Sequence, residues 1–241
     1  MKVDVGLIGG TGVGSLLARE EGKAMHIPTP YGVARGKVMQ IEGRTALLLS
    51  RHSAGHSVPP HRVNYLAMAT ALAQVGAKHC FATAAVGSLN LDRPVGTLMV
   101  CSDFLDLTYR NLTLFDSNVV HTPLGQPFGI EARSSVLAGA KLVGIPVVDG
   151  GVYIGLNGPR FETPHEIQML AKIGDVVGMT ASSEAIAMKE AGVQYALLSV
   201  VTNMGEGLGG VVEHEMVGQA MQELGPKAVS ILKRAVGALP K

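Results

Sequence analysis

The sequence predicts an α/β protein: one domain over residues 1–241, built on a central mixed, twisted sheet flanked by helices. Three observations carry this. Short apolar runs alternate along the whole chain with segments of helical periodicity. Apolar residues make up 47% of the chain and charged residues only 16%, as in sheets whose strands are buried on both faces. Glycine, at 31 residues, punctuates the ends of most of these runs. A chain of 241 residues can bury a sizeable core without a second domain.

Taken in order, residues 3–8 read as a first strand, followed by the glycine turn Gly9-Gly10-Thr11-Gly12-Val13-Gly14. The apolar run 45–50 is a strand that ends at Arg51-His52. A helix fits 62–76, with Tyr65, Met68, Ala69, Leu72 and Val75 on one face and Gly76 as its stop. Segments 79–85 and 97–102 are strands, and 109–127 has no clean period and reads as a loop. Helical spacing returns at 131–142. Segment 147–156 is strand-like, with Gly150-Gly151 marking a bulge. Thr163 as cap and Pro164 as first residue start a helix through Ile173. A strand at 176–179, a helix at 182–191 and an apolar strand at 195–201 follow. A last helical region, about 212–236, should break or kink at Gly225-Pro226.

Composition narrows the function classes. A net charge of +1 with scattered Lys and Arg is no footprint for nucleic acid. No apolar run approaches membrane-spanning length, and the first residues enter a strand at once, so a soluble cytoplasmic protein is expected. The two cysteines, Cys80 and Cys101, lie in apolar runs and read as buried thiols; no ligand set at zinc spacing surrounds them, so no metal is expected.

Two kinds of segment carry chemistry. The glycine turn is a tight turn and nothing more, a dinucleotide fingerprint, for which Ser15 stands where the third glycine belongs, or an anion cradle of backbone N–H groups and the Thr11 hydroxyl. Arg51-His52, also just past a strand, favours the anion, because the planar Arg fork suits phosphate oxygens. A surface salt bridge for Arg51, and packed or solvated imidazoles for His52 and His56, are the plain alternatives. Gly158-Pro159-Arg160-Phe161-Glu162-Thr163 closes a tight turn and then offers an aromatic face beside a carboxylate. That pairing suits a flat heterocycle bearing N–H donors.

With Thr83-Ala84-Ala85-Val86-Gly87-Ser88, Gly178-Met179-Thr180-Ala181-Ser182-Ser183-Glu184 and Val201-Thr202-Asn203, these segments resemble, in order and over nearly the whole chain, the trimeric purine nucleoside phosphorylase family, which also includes methylthioadenosine phosphorylase. The resemblance implies the nucleoside phosphorylase fold and phosphorolysis of an N-glycosidic bond. The partners it implies are a nucleoside and inorganic phosphate as co-substrate, with no cofactor. It also implies a homotrimer, or a dimer of trimers. It assigns phosphate to Thr11, Arg51, His52, Ala84 through its backbone, and Thr180. It assigns the base to Ala85, Phe161, Glu162 and Asn203. The ribose falls to Met179, His56, His214 and Val217. Asn203, Glu162 and His52 become the candidate catalytic groups. Phe115, in the irregular loop, would reach a neighbouring subunit's site.

Two positions depart from the family's pattern: Ser183 stands where it usually has Pro, and Ala84 where some members carry a hydroxyl. Asn203 can donate to a six-position oxygen while accepting from a ring N–H, which favours hypoxanthine and guanine; adenine-preferring relatives carry Asp there. His214 resembles the ribose-hydroxyl histidine of inosine and guanosine enzymes, so a 6-oxopurine nucleoside phosphorylase is the main expectation. A methylthioinosine or methylthioadenosine phosphorylase is the nearest rival. A nicotinamide-dependent oxidoreductase and a non-catalytic purine-binding protein are the more distant ones.

Overall fold

The computed structural model describes residues 2–53, 57–209 and 214–240, apart from the side chain of His214. In chain order the strands are β1 (Val5–Ile8), β2 (Lys23–Thr29), β3 (Gly32–Ile41), β4 (Arg44–Leu49), β5 (His79–Ser88), β6 (Leu98–Val100), β7 (Asp103–Asp106), β8 (Val148–Asp149), β9 (Val152–Gly155), β10 (Val176–Gly178) and β11 (Gln194–Met204). The helices are α1 (Val13–Leu17), α2 (Tyr65–Gln74), α3 (Ile130–Leu142), α4 (Pro164–Leu170), α5 (Ala181–Glu190) and α6 (His214–Gly237), with a 3-10 turn at Pro60–Arg62.

All the strands join one mixed sheet. Its centre is parallel, with β1 between β4 and β5 and β11 running along the whole of β5. Side chains alternate across it. Cys80 and Ala82 of β5 and Tyr195 and Leu197 of β11 enter one core; Phe81, Ala196 and Leu198 enter the other. Helices α2 and α5 cover the first face, and α3 and α6 pack together over the second. Both cysteines are free and buried. No helix among the described residues is long and apolar enough to cross a membrane.

Several expectations change. The antiparallel hairpin β2–β3 fills a stretch with no predicted element, and it sits at the edge of the sheet. Segment 147–156 is not one bulged strand. Gly150 and Gly151, both at positive φ, turn the chain so that β8 pairs with β6 while β9 pairs with β7 and β10. Helix α6 runs unbroken through Pro226. Pro226 and Gln222, whose carbonyl it leaves without a helical partner, are exposed, so water can take that bond. Leu224, Ala228, Ile231 and Leu232 are meanwhile buried and hold the helix on the sheet.

Candidate active site

The site begins with an unpaired stretch of strand. β11 occupies one edge of β5 from end to end. On the other edge β1 pairs only with His79 to Ala82, and β10, antiparallel, only with Gly87 and Ser88. Residues 83–86 of that edge therefore face a crevice instead of a strand. The Thr83 carbonyl accepts from Arg51 on the crevice side, and the Val86 carbonyl meets the Thr202 hydroxyl on the β11 side. Backbone groups alternate along a strand, so the N–H turned to the open edge is that of Ala85, while the Ala84 N–H points to β11. The backbone donor on the open edge is therefore Ala85, beside the Ala84 named from the sequence.

A cavity of about 400 Å³ lies over this gap. Its lining includes Thr11, Arg51, His52, Ala84 and Thr180, and also Ala85, Phe161, Glu162, Met179, Asn203 and Val217. Arg51 meets β5 at Thr83 and Asn203 pairs with β5 at Gly87, which marks two ends. The structure thus brings these sequence-predicted residues to one place. His56 lies outside the described residues; His214 opens α6, but its side chain is outside them. Phe115 is not among the residues around its own chain's cavity.

At the first end, Gly10 N–H donates to Thr83 Oγ1 at 2.9 Å. A Cβ on Gly10 would lie 2.5 Å from the Thr83 carbonyl oxygen, so only glycine lets this turn lie against β5. Helix α1 is only five residues long and leads into the β2–β3 hairpin, not into the crossover to a parallel strand that a dinucleotide fingerprint requires.

Arg51 does form a salt bridge, but a buried one. Its Nε and Nη2 meet Glu184 Oε1 and Oε2 at 2.5 and 2.8 Å, and its Nη1 meets the Thr83 carbonyl at 2.9 Å. Tyr195 adds a third bond to Glu184 at 2.6 Å. Burial works against the charge, the adjacent carboxylate outweighs it, and the guanidinium pKa is pushed above its ordinary value. His52 Nδ1 lies 2.8 Å from the Val58 carbonyl, an acceptor only, so Nδ1 carries the proton.

At the other end, β11 bulges between Val201 and Asn203. The bulge lets two successive side chains, Thr202 and Asn203, face the same cavity. Asn203 Nδ2 donates to the Met204 carbonyl at 2.9 Å, and Oδ1 accepts from Thr202 Oγ1 at 3.0 Å. Among the described residues this leaves one amide hydrogen and one carbonyl lone pair for a ligand. Glu162 stands beside Phe161, and burial pushes its carboxyl above the ordinary range. Just past Asn203, Gly205 N–H is bonded to the Ser88 carbonyl at 2.7 Å.

Sequence reasoning missed the groups that hold this lining in place. Glu184 meets Arg51 from 133 residues away, Tyr153 meets the N–H groups of Thr180 and Ala181 from 27 and 28, and Arg110 meets Tyr65, Asn157 and Ser183 from 45, 47 and 73. No local spacing signals such pairs.

The Phosphorylase superfamily matches this chain over residues 4–237. A probable S-methyl-5′-thioinosine phosphorylase of Methanopyrus kandleri is 36% identical over 241 residues, covering 98% of this chain and 93% of that protein. The 6-oxopurine nucleoside phosphorylase of Pyrococcus furiosus is 34% identical over 248 residues, covering 98% and 93%. Among solved structures, methylthioadenosine phosphorylase from Schistosoma mansoni in complex with tubercidin superposes with a TM-score of 0.89 at 29% identity, covering 98% of this chain and 91% of that one.

Proposed function

The chain belongs to the phosphorylase superfamily and is a purine nucleoside-cleaving enzyme of it, and we propose that its substrates are 6-oxopurine nucleosides. Inosine and guanosine are cleaved with phosphate to the free base and ribose 1-phosphate. The observation that carries this choice is Asn203, with a donor and an acceptor to spare.

Phosphate meets Thr11, Arg51, His52 and Thr180 of this lining, and the open Ala85 N–H adds a backbone donor. Arg51 spends three of its five N–H groups on protein and keeps one on each terminal nitrogen for the anion. The purine lies against Phe161. The Asn203 amide donates to O6 and its carbonyl accepts from N7–H, while Glu162 accepts from the ring N–H and from the two-amino group of guanine. Met179 lies under the ribose.

A phosphate oxygen then bonds to C1′ as the C1′–N9 bond breaks, and its electron pair passes into the purine. The proton that hydrogen phosphate gives up balances the one the departing base takes on. Rate comes from positioning phosphate beneath an oxocarbenium-like sugar and from stabilising charge on the base.

A second reading, methylthioinosine as substrate, keeps the base and phosphate contacts. It is favoured by the apolar Pro59, Pro60 and Val217 in the cavity wall and by the name of the Methanopyrus relative. The first reading calls on His214 for a 5′-hydroxyl. The test is to incubate the protein with inosine, guanosine, adenosine, methylthioadenosine and methylthioinosine, with and without phosphate, and to separate the bases. Phosphate-dependent release of hypoxanthine and guanine supports the main reading. Release from methylthioinosine alone moves the assignment to the second, and no release from any of them overturns both.

A further inference from the structure

Arg110 does not line the cavity, yet its side chain is bonded to three of the segments that do. Nε donates to Asn157 Oδ1 at 3.0 Å and Nη2 to the Asn157 carbonyl at 2.7 Å. Nη1 donates to the Ser183 hydroxyl at 2.8 Å and to the Tyr65 hydroxyl at 3.0 Å. The guanidinium also sits 5.2 Å from the centre of the Tyr65 ring, and the Tyr65 hydroxyl donates onward to the Pro60 carbonyl at 2.7 Å. Each partner adjoins the site. Asn157 leads into Gly158-Pro159 and then Phe161 and Glu162, Ser183 precedes Glu184, and Pro60 is itself in the cavity wall.

The helix end itself does not favour this arrangement. Ser183 lies in the first turn of α5, where the helix dipole disfavours a cation. Arg110 is held there by bonds to other segments, and four of its contacts join parts of the chain between 45 and 73 residues away from it. At position 183 a proline would offer no side-chain acceptor; the serine hydroxyl does.

We infer that Arg110 is a positioning residue, tying the phosphate-holding segment at Ser183-Glu184 to the base-holding loop that begins at Asn157. This rests on the proposed phosphorolysis, in which the two substrates must meet at bonding distance. A cross-tie between the walls sets that distance, and small misplacement there costs rate even when both substrates are bound.

The test compares wild type with Arg110→Met, Arg110→Lys and Ser183→Ala in steady-state kinetics with phosphate and nucleoside varied in turn, alongside thermal unfolding. Arg110→Met should lower kcat by about tenfold or more at saturation of both substrates, the scale of one lost charge-assisted bond. Arg110→Lys, a point charge without the fork, should recover only part of this. Ser183→Ala cuts one tie, and it should raise the KM for phosphate by about threefold while leaving the nucleoside KM in place. Where Arg110→Met does not fold, the Ser183→Ala split decides alone. Variants that melt earlier but keep wild-type kcat and both KM values overturn the inference and leave the phosphorolysis intact. A wild type that cleaves no nucleoside overturns both.

Discussion

Arg51 and Glu184 form a two-pronged ion pair with almost no solvent access: their side chains are 2% and 1% exposed, and they come from segments 133 residues apart. The carboxylate fixes the guanidinium across the gap between β1 and β10. The Arg51 hydrogens left over can therefore face an anion instead of searching for a partner.

Removing one member of such a pair leaves a buried charge alone. Glu184→Ala should cost about 3–5 kcal/mol of stability in urea unfolding. The double change Arg51→Met with Glu184→Leu should cost less than Glu184→Ala alone, because it leaves no charge behind. A single variant within experimental error of wild type would mean that the pair does not hold the site together.

Tyr153 satisfies the first two N–H groups at the start of α5. Its hydroxyl accepts from the Thr180 and Ala181 N–H groups at 3.1 and 3.2 Å, while the Thr180 side chain makes no cap bond and lies in the cavity wall. Burial pushes the Tyr153 hydroxyl up to about 12, so it stays neutral at ordinary pH. The approach requires Gly178, where a Cβ would lie 2.5 Å from that hydroxyl oxygen. Tyr153→Phe should cost about 1–3 kcal/mol through the orphaned N–H groups. With these two N–H groups unpaired the start of α5 loosens and carries the Thr180 hydroxyl with it, so the KM for phosphate should rise while that for nucleoside holds. An unchanged phosphate KM would separate Tyr153 from the phosphate end.

Much of the site was legible because its parts are locally marked: glycines at a strand end, Arg-His after another, a Gly-Pro turn before Phe161-Glu162. The sheet centre was legible for a similar reason, since β1, β4 and β5 are nearly continuous apolar runs. The β2–β3 hairpin was not, because at the sheet edge most of its residues are exposed or half-buried and the apolar pattern fades. Asn203 reads from sequence as lying past the end of its strand. It lies inside β11, brought to the cavity by a bulge at Thr202 that no residue type announces. Glu184 stands in a quoted motif, but only the packing of α5 against the central strands makes it the partner of Arg51.

Glu162 should be visible in the pH profile. Burial raises its folded pKa, so the folded free protein holds this proton more tightly than the unfolded chain. Ionising it then costs stability as pH rises from the unfolded value through the folded one, and the cost persists above that window. A purine N–H donor offsets the cost. The kcat/KM for inosine should fall on the acid side with an apparent pKa above the usual carboxylate range. Glu162→Gln should lose that limb, lower kcat/KM by about tenfold or more, and be no less stable than wild type at neutral pH. An acid limb that survives in Glu162→Gln would belong to another group.

Asn203→Asp tests the choice of base most directly. In the proposed complex one amide hydrogen meets O6 and the side-chain oxygen meets N7–H. An ionised Asp has no hydrogen to give O6, and a buried acceptor facing an acceptor is penalised on both sides. The kcat/KM for inosine should drop by about a hundredfold, the upper part of the roughly 1–3 kcal/mol cost of leaving a buried acceptor unpaired. A protonated Asp, by contrast, can donate to N7 while its carbonyl oxygen accepts from a six-amino group, so adenosine should gain. The ratio of the two kcat/KM values is the quantity to read, since it cancels any loss of folded protein. A fall in both substrates with the ratio unchanged would place Asn203 in the wall of the cavity without a hand in selecting the base.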